Sequence, residues 1–455
     1  MKRFFISVLM LCVAVATANA ADYNIKKFGA VSDTTKYSTT AIQKAIDACS
    51  EAGGGRVVVP AGNYKIGSIR LKSNVHLHLE HGATLYGSTK IEDYVPYATD
   101  FKSLRTQGTT VQLVYGDKVE NVVIDGYGTI DGCGRYFISN RGHDEGITRP
   151  HLLRFVQSKN VVVRDITIRN SGCWMQHYLA CDHVRIDGVT IFNRNHLNND
   201  GLDLDGCHDV IVSNCFVDSD DDGIVLKSTS PRLCENITIS NCVISTHCNA
   251  VKMGTETTGG FRNININNIV IKPSANQEEK FCGQWLGISA IALEIVDGGT
   301  MENINISNFT VEGTQAPIFV RLANRARPYL AGIEAPAVGR IRNVRISNIT
   351  VRNAGVYGSS ITAIPGYYVE DIVLENISIH HKGGVTKDMV SDNWKDEREK
   401  KYPEGTSWGT LPAQGFFIRH ARNIQLNNIQ ITSDKDDERP DFIEIDTHNV
   451  DIIKR

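Results

Sequence analysis

The chain lacks the marks of several functional classes. It has no C-x-x-C pair, and its Cys and His residues do not fall at zinc-site spacing, so no structural metal is expected. It has no excess of positive charge: 48 Lys and Arg stand against 51 Asp and Glu, a formal charge of −3. A nucleic-acid partner therefore has no electrostatic support. Beyond residue 20 no long apolar run follows, so no membrane insertion is expected. Low-complexity tracts are absent, which makes the 39 glycines read as tight turns rather than as a fibrous repeat.

What is present begins with a leader. Lys2 and Arg3 precede an apolar run from Phe4 to Ala16, and Ala18-Asn19-Ala20 is a small-residue cleavage site. Residues 1–20 read as a signal peptide, with one domain over 21–455 exported to the periplasm or the exterior as a soluble protein. The leader would remove Cys12. The ten remaining cysteines are even in number, which permits disulfides. Several sit inside apolar strands, where Cys behaves as a small hydrophobe, and stacked, reduced core cysteines are expected.

Internal repetition decides the fold class. A polar residue, often Asn, opens an alternating strand, and a second polar residue follows four or five positions later. Copies begin at Asn121 (NVVIDGYGTID), Asn160, His183, Asp209, Asn236 (NITISNCVIST), Asn263, Asn303, Asn343, Asp371 and Asn423. The central spacings are 23, 26, 27 and 27 residues. A unit that short cannot bury its own apolar face, so the copies must stack. The expected fold is all-β: a single-stranded right-handed parallel β-helix of about ten turns. Ile and Val would form inward ladders, and corner Asn would bond the Asn one rung above, satisfying buried turn amides. Thr39 to Ala52 has helical periodicity, with Ile42, Ala45, Ile46 and Cys49 on one face. It is expected to cap one end of the coil. Long gaps at 272–290, 322–340 and 382–415 mark loops of the kind that build walls around sites.

Acidic residues concentrate in two central copies: Asn198-Asn199-Asp200-Gly201-Leu202-Asp203-Leu204-Asp205, then Asp218-Ser219-Asp220-Asp221-Asp222-Gly223. Asp200 and Asp221 lie 21 residues apart, close to one turn, which in a β-helix means neighbouring rungs about 5 Å apart. Clustered carboxyls raise one another's pKa. They can supply one protonated acid and one ionised base, the pair that glycosidic cleavage needs.

These segments resemble glycoside hydrolase family 28, the polygalacturonase and rhamnogalacturonan hydrolase group. YNIKKFGAVSDTTKYSTTAIQKAIDAC and GGGRVVVPAGNYKIGSIRLKSNVHLHLEHGATL carry the resemblance in the first part of the chain. NNDGLDLDGCHDVIVSNCFVDSDDDGIVLKS and YPEGTSWGTLPAQGFFIRHARNI carry it later. The resemblance implies three catalytic residues, Asp200, Asp221 and Asp222. Asp221 would be the general acid, and Asp200 with Asp222 would activate water, with inversion at the anomeric carbon. Asn198 opens the first motif, where Asn199 replaces the family Thr, and is a substrate-binding candidate.

Two departures qualify the resemblance. The family's Gly-His-Gly is replaced by Thr246-His247-Cys248-Asn249, so either Asn249 or His247 takes the histidine's place. Lys252 would point into the cleft. The Arg-Ile-Lys motif that grips a substrate carboxylate is missing. Glu294 would stand there instead and repel an anionic sugar, so either Arg321 with Lys252 replaces the cation or the sugar in that subsite is neutral. Trp174 and His177, one turn before Asp200, would stack on or bond a sugar, or pack beside Cys173.

The expected partner is plant cell-wall polysaccharide or oligosaccharide, cleaved by a monomer with no cofactor and no metal. Exo attack is favoured by the loops. The rival readings are a polysaccharide lyase or uronate epimerase, with the Asp cluster on calcium, and a non-catalytic glycan-binding rod.

Overall fold

The computed structural model describes residues 22–105, 108–139, 145–194, 196–278 and 285–454. The proposed leader and Cys282 lie outside the described residues. Parallel strands coil around one long core, with each rung paired to the rungs before and after it. The coil is the right-handed parallel β-helix expected, the hand that twisted strands impose on parallel crossovers.

The alternation in the sequence becomes ladders. One runs Val122, Val161, Val184, Val210, Ile237, Ile264, Ile304, Val344, Ile372, Ile424 in direct register. These side chains are 0–2% exposed. Each contributes about 1.5–3 kcal/mol by leaving water. The coil extends past the ten copies visible in the sequence. Asp22–Asn24, Gly55–Val59 and Val75–Leu79 add rungs at one end, and Phe442–Lys454 adds one at the other.

The corner asparagines do form ladders, but not for the expected reason. Asn263 donates to Asn236 at 3.1 Å, and Asn303 to Asn263 at 3.1 Å, in solvent. They satisfy exposed rather than buried groups. What the corner demands is a left-handed backbone: φ is 58° at Asn236 and 55° at Asn263. Asn tolerates that region better than other residues with a Cβ.

Helix α1 (Thr39–Glu51) buries Ala41, Ile42, Ala45, Ile46 and Cys49 over the first rungs. It closes a core end that would otherwise meet water. Nine described cysteines are free thiols, all buried except Cys133. Burial pushes the thiol of Cys173 up, which keeps it protonated and inert. Among the described residues no helix is long and apolar enough to cross a membrane.

One sheet of the coil carries the candidate site residues. Its central strands are β1 (Gln176–Leu179), β2 (Leu202–Asp205), β3 (Ile224–Ser228), β4 (Asn249–Thr257), β5 (Ser289–Ile295) and β6 (Ile318–Leu322). They pair consecutively in parallel.

Candidate active site

The acidic turns lead into β2 and β3. Each is held from below by a polar side chain at the end of the preceding strand. Asn193 donates through Nδ2 to the Asp200 carbonyl at 2.9 Å. One rung on, Ser219 occupies the same register position and donates to the carbonyls of Asp221 and Asp222 at 2.9 and 3.1 Å. Thr246 follows in register and donates to the Asp221 carbonyl. Gly201 and Gly223 come immediately after the key aspartates because the next rung lies against them. A Cβ at Gly201 would stand 2.7 Å from the Gly223 carbonyl oxygen, and one at Gly223 would stand 2.6 Å from that of Ala250.

The register corrects the sequence reading by one residue. Leu202 pairs with Ile224, so the local rung is 22 residues long, and Gly201 N–H bonds the Asp222 carbonyl at 2.9 Å. Asp222, not Asp221, therefore lies level with Asp200. Asn249 continues that column, because Ile224 pairs with Val251. Asp221 sits beside the column, half-buried, with Oδ1 accepting from the Asp222 N–H at 2.8 Å.

Asp222 is the most completely bonded of these carboxyls. Oδ1 accepts from the backbone N–H of Asn249 at 3.0 Å and from its Nδ2 at 2.8 Å. Oδ2 faces Lys252 Nζ at 3.0 Å. Burial works against its charge, but Lys252, Lys227 and the Asn249 bonds outweigh it and hold Asp222 below the usual carboxylate range. Asp221 moves the other way: its enclosure, then the charge of Asp222, raises it against the pull of Lys252. Asp200 is raised well above the usual range by burial and by Asp203 and Asp221. Burial pushes Asp203 up to about 8 despite Lys227. Adjacent carboxyls with pKa values driven apart are the arrangement that supplies an acid and a base together.

Two lysines order the cluster. Lys227 Nζ lies 3.7 Å from Asp200, 3.6 Å from Asp203 and 3.6 Å from Glu256. Glu256 is held well below the usual range; burial opposes this, but Lys227, Arg105 and Arg327 prevail. Lys252 donates to the Tyr402 hydroxyl at 2.8 Å and to Glu404 at 3.4 Å, and Asn249 donates to Glu404 at 3.0 Å. Residues 402–404 thus reach in from the 382–415 loop. Arg327 Nη2 reaches Glu256 from the 322–340 loop at 2.8 Å, and Arg105 faces Glu256 at 3.4 Å.

The other expected residues fall as follows. Asn249, rather than His247, meets Asp222. His247 is sealed in the interior, 3.5 Å from Asp220. Asn198 has a left-handed φ of 55° and accepts from Arg149 at 2.9 Å, so it pins the turn before Asp200. Arg321 is not a cleft cation. It is buried, donates to the carbonyls of Ala363 and Glu397, and lies 5.1 Å over the Trp408 ring. It anchors the 382–415 loop to β6.

Glu294 does not stand open to the cleft as expected. It is fully buried, and burial raises it well above the usual range, which weakens any repulsion of an anionic sugar. Trp174 is buried rather than open to a sugar, with Lys227 4.5 Å and Arg105 5.0 Å from its ring centroid. His177 bonds Asp205 at 3.2 Å.

Sequence reasoning missed Tyr402, Glu404, Glu256, Arg105 and Arg327 as site residues. The YPEGTSW segment was the available signal for the first two, since it carries the family resemblance on a charged loop.

Asp221, Asp222 and Cys248 offer ligand atoms within 4.8 Å of one another. Both Asp222 oxygens are already bonded, however, and Lys252 supplies the positive charge a divalent ion would bring. The set does not fit calcium, which prefers oxygen ligands in high number. A second cluster, His76, His78 and Asp125, lies on an outer face, where Arg164 already pairs with Asp125 at 2.8 Å.

The chain is similar to known proteins in sequence and in fold. A "probable polygalacturonase" from Vitis vinifera is 30% identical over 223 residues, covering 47% of this chain and 45% of that protein. An exo-poly-alpha-D-galacturonosidase from Dickeya chrysanthemi is 30% identical over 249 residues, covering 44% and 41%. The chain thus spans less than half the length of these two relatives. The structure of a Yersinia enterocolitica family 28 exopolygalacturonase superposes with a TM-score of 0.72 over 95% of this chain and 78% of that one, at 20% identity, which speaks to the fold. Residues 49–397 match the family model for glycosyl hydrolases family 28. That span takes in the whole Asp200–Asp222–Asn249 column, and the chain belongs to glycosyl hydrolases family 28.

Proposed function

We propose that the protein hydrolyses O-glycosidic bonds in pectin-type polysaccharide, galacturonan or rhamnogalacturonan-derived, releasing sugars from a chain end. The observation that carries this is the opposed behaviour of two consecutive residues. Asp221 is raised above the usual carboxylate range and Asp222 lowered below it, with Asp200 level with Asp222. Asp221 donates its proton to the departing glycosidic oxygen. Asp222 takes a proton from water attacking the opposite face of the sugar ring, with Asp200 orienting that water, and the anomeric centre inverts.

The cleft walls support attack at a chain end. Arg105 packs on Glu256, and Tyr402 with Glu404 on Lys252 and Asn249, so residues from outside the sheet stand over the column, as attack at a chain end requires. The cations that meet a sugar carboxylate are Arg105 and Arg327, which retain 17% and 27% side-chain exposure. Lys252 is committed to Asp222 and Glu404, and Arg321 to its loop. The relatives' names, polygalacturonase and exo-poly-alpha-D-galacturonosidase, favour the same substrate class. Export through a leader at residues 1–20 and action as a monomer on cell-wall material belong to the same proposal.

The test is mass spectrometry of products from homogalacturonan, rhamnogalacturonan and their oligosaccharides, with and without EDTA. Monosaccharides or short ends heavier by one water, formed equally in EDTA, are expected. Unsaturated products that vanish in EDTA would make the protein a lyase.

A further inference from the structure

Away from the catalytic sheet, a cavity of about 700 Å³ opens on the neighbouring sheet near the α1 end of the coil. Its floor is a register column. Lys65, Tyr86, Asp131 and Arg169 stand opposite one another on four successive rungs. At about 4.8 Å per rung the column is roughly 14 Å long. Arg135 and Tyr136, both exposed, come from the short loop after Asp131 and add to the lining.

The chemistry of the lining is not that of a folding device. Asp131, its one acid, is fully engaged: Arg169 Nε donates at 2.7 Å, Asn170 at 3.1 Å and the Cys133 N–H at 3.0 Å. Asp93, close by, is bonded to the hydroxyls of Tyr37 and Ser88. Lys65 lies 4.6 Å over the Tyr37 ring, and Arg135 lies 5.2 Å over that of Tyr136. Arg135 Nη2 also donates to the Tyr136 hydroxyl at 3.4 Å, and both cations line the cavity without an ion pair among the described residues. The half-buried Tyr86 ring and the 56% exposed Tyr136 ring bring flat apolar surface beside them. Asn63 and Asn170 add amides.

Rings that face an open groove suit the C–H face of a pyranose, amides suit its hydroxyls, and unpaired cations suit carboxylates. A neutral glycan would leave the cations without a partner. We infer that this cavity is a second, non-catalytic site that binds a short uronate-containing oligosaccharide. The inference rests on the pectin reading above for the ligand's source. Two sites on one rod would hold a polymer near the catalytic pocket by raising its effective concentration.

Isothermal titration calorimetry of tetragalacturonate tests this. It is run on the Asp221→Asn protein, which does not consume the ligand, and on the same protein carrying Lys65→Ala, Arg135→Ala and Tyr136→Ala. All three added positions are exposed or half-buried, so the melting temperature should hold. Two sites per chain are expected in the first protein. One is lost or weakened at least tenfold in the second, and that site weakens as salt rises.

A single site in both proteins, no binding in either, or a second site indifferent to the three substitutions would overturn the inference. So would a second site that takes a neutral galactan oligomer equally well. Failure of the pectin reading shows separately, as wild-type protein that releases no sugar from the same tetramer.

Discussion

The Nζ of Lys252 stands 3.0 Å from Oδ2 of Asp222, and this ion pair separates two carboxyls that are adjacent in the chain. It helps lower Asp222 below the usual carboxylate range, and the charge on Asp222 helps raise Asp221 above it. Replacing Lys252 with Met should raise Asp222. The acidic limb of the kcat/KM profile should move to higher pH. Stability should also fall, because Asp222 and Glu404 lose a buried partner. A pH–rate profile and a thermal melt measure the two effects; an unmoved acidic limb would remove Lys252 from this role.

Asp221→Asn should reduce kcat by about 10²–10⁴-fold with the fold intact. The side-chain carbonyl oxygen of Asn still accepts from the Asp222 N–H, so the turn keeps its shape. Steady-state rates beside a circular dichroism spectrum check this.

The pH dependence of stability should carry the sign of a raised carboxyl at Asp203. Its folded pKa is about 8, above an unfolded value near 3.9. Between those values the native state holds a proton that the unfolded chain has released. Stability from this group is therefore lost as pH rises from about 4 to about 8. Asp203→Asn should flatten that decline, so its melting temperature relative to wild type should be more favourable at pH 8 than at pH 5. A difference of opposite sign would contradict the burial argument.

Arg321→Met should act on the wall and not on the chemistry. Losing its bonds to the carbonyls of Ala363 and Glu397 leaves buried acceptors unpaired, at about 1–3 kcal/mol each. The 382–415 loop should become sensitive to protease, and KM should rise while the limbs of the pH profile stay in place. A shifted pH profile would mean that Arg321 acts on the catalytic carboxyls.

The fold was legible because a coil repeats its demands. Every rung asks for Ile or Val inward and for a left-handed corner, and Asn263, Asn303 and Asn343 answer at regular intervals. The candidate aspartates were legible because three of them fell on neighbouring rungs. Their register was not, because the turn before the strand changes length. Thr190 pairs with Phe216, 26 residues on, whereas Leu202 pairs with Ile224, 22 on. Counting cannot say where in the turn the four residues disappear.

Glu404, Tyr402, Arg105 and Arg327 were missed because they arrive on loops, and loop docking follows no period. Arg321 was misread for a related reason. Strand alternation can turn a side chain outward, but only the docked loop shows that the outside is covered.

The most direct test of the account is a proton NMR time course of oligogalacturonide cleavage by the wild-type protein, in buffer with and without EDTA. Hydrolysis by Asp221 and Asp222 with inversion predicts that the first sugar released from an α-linked substrate appears as the β-anomer, at equal rates with and without EDTA. The α-anomer appearing first, or an olefinic signal from an unsaturated product, would contradict it.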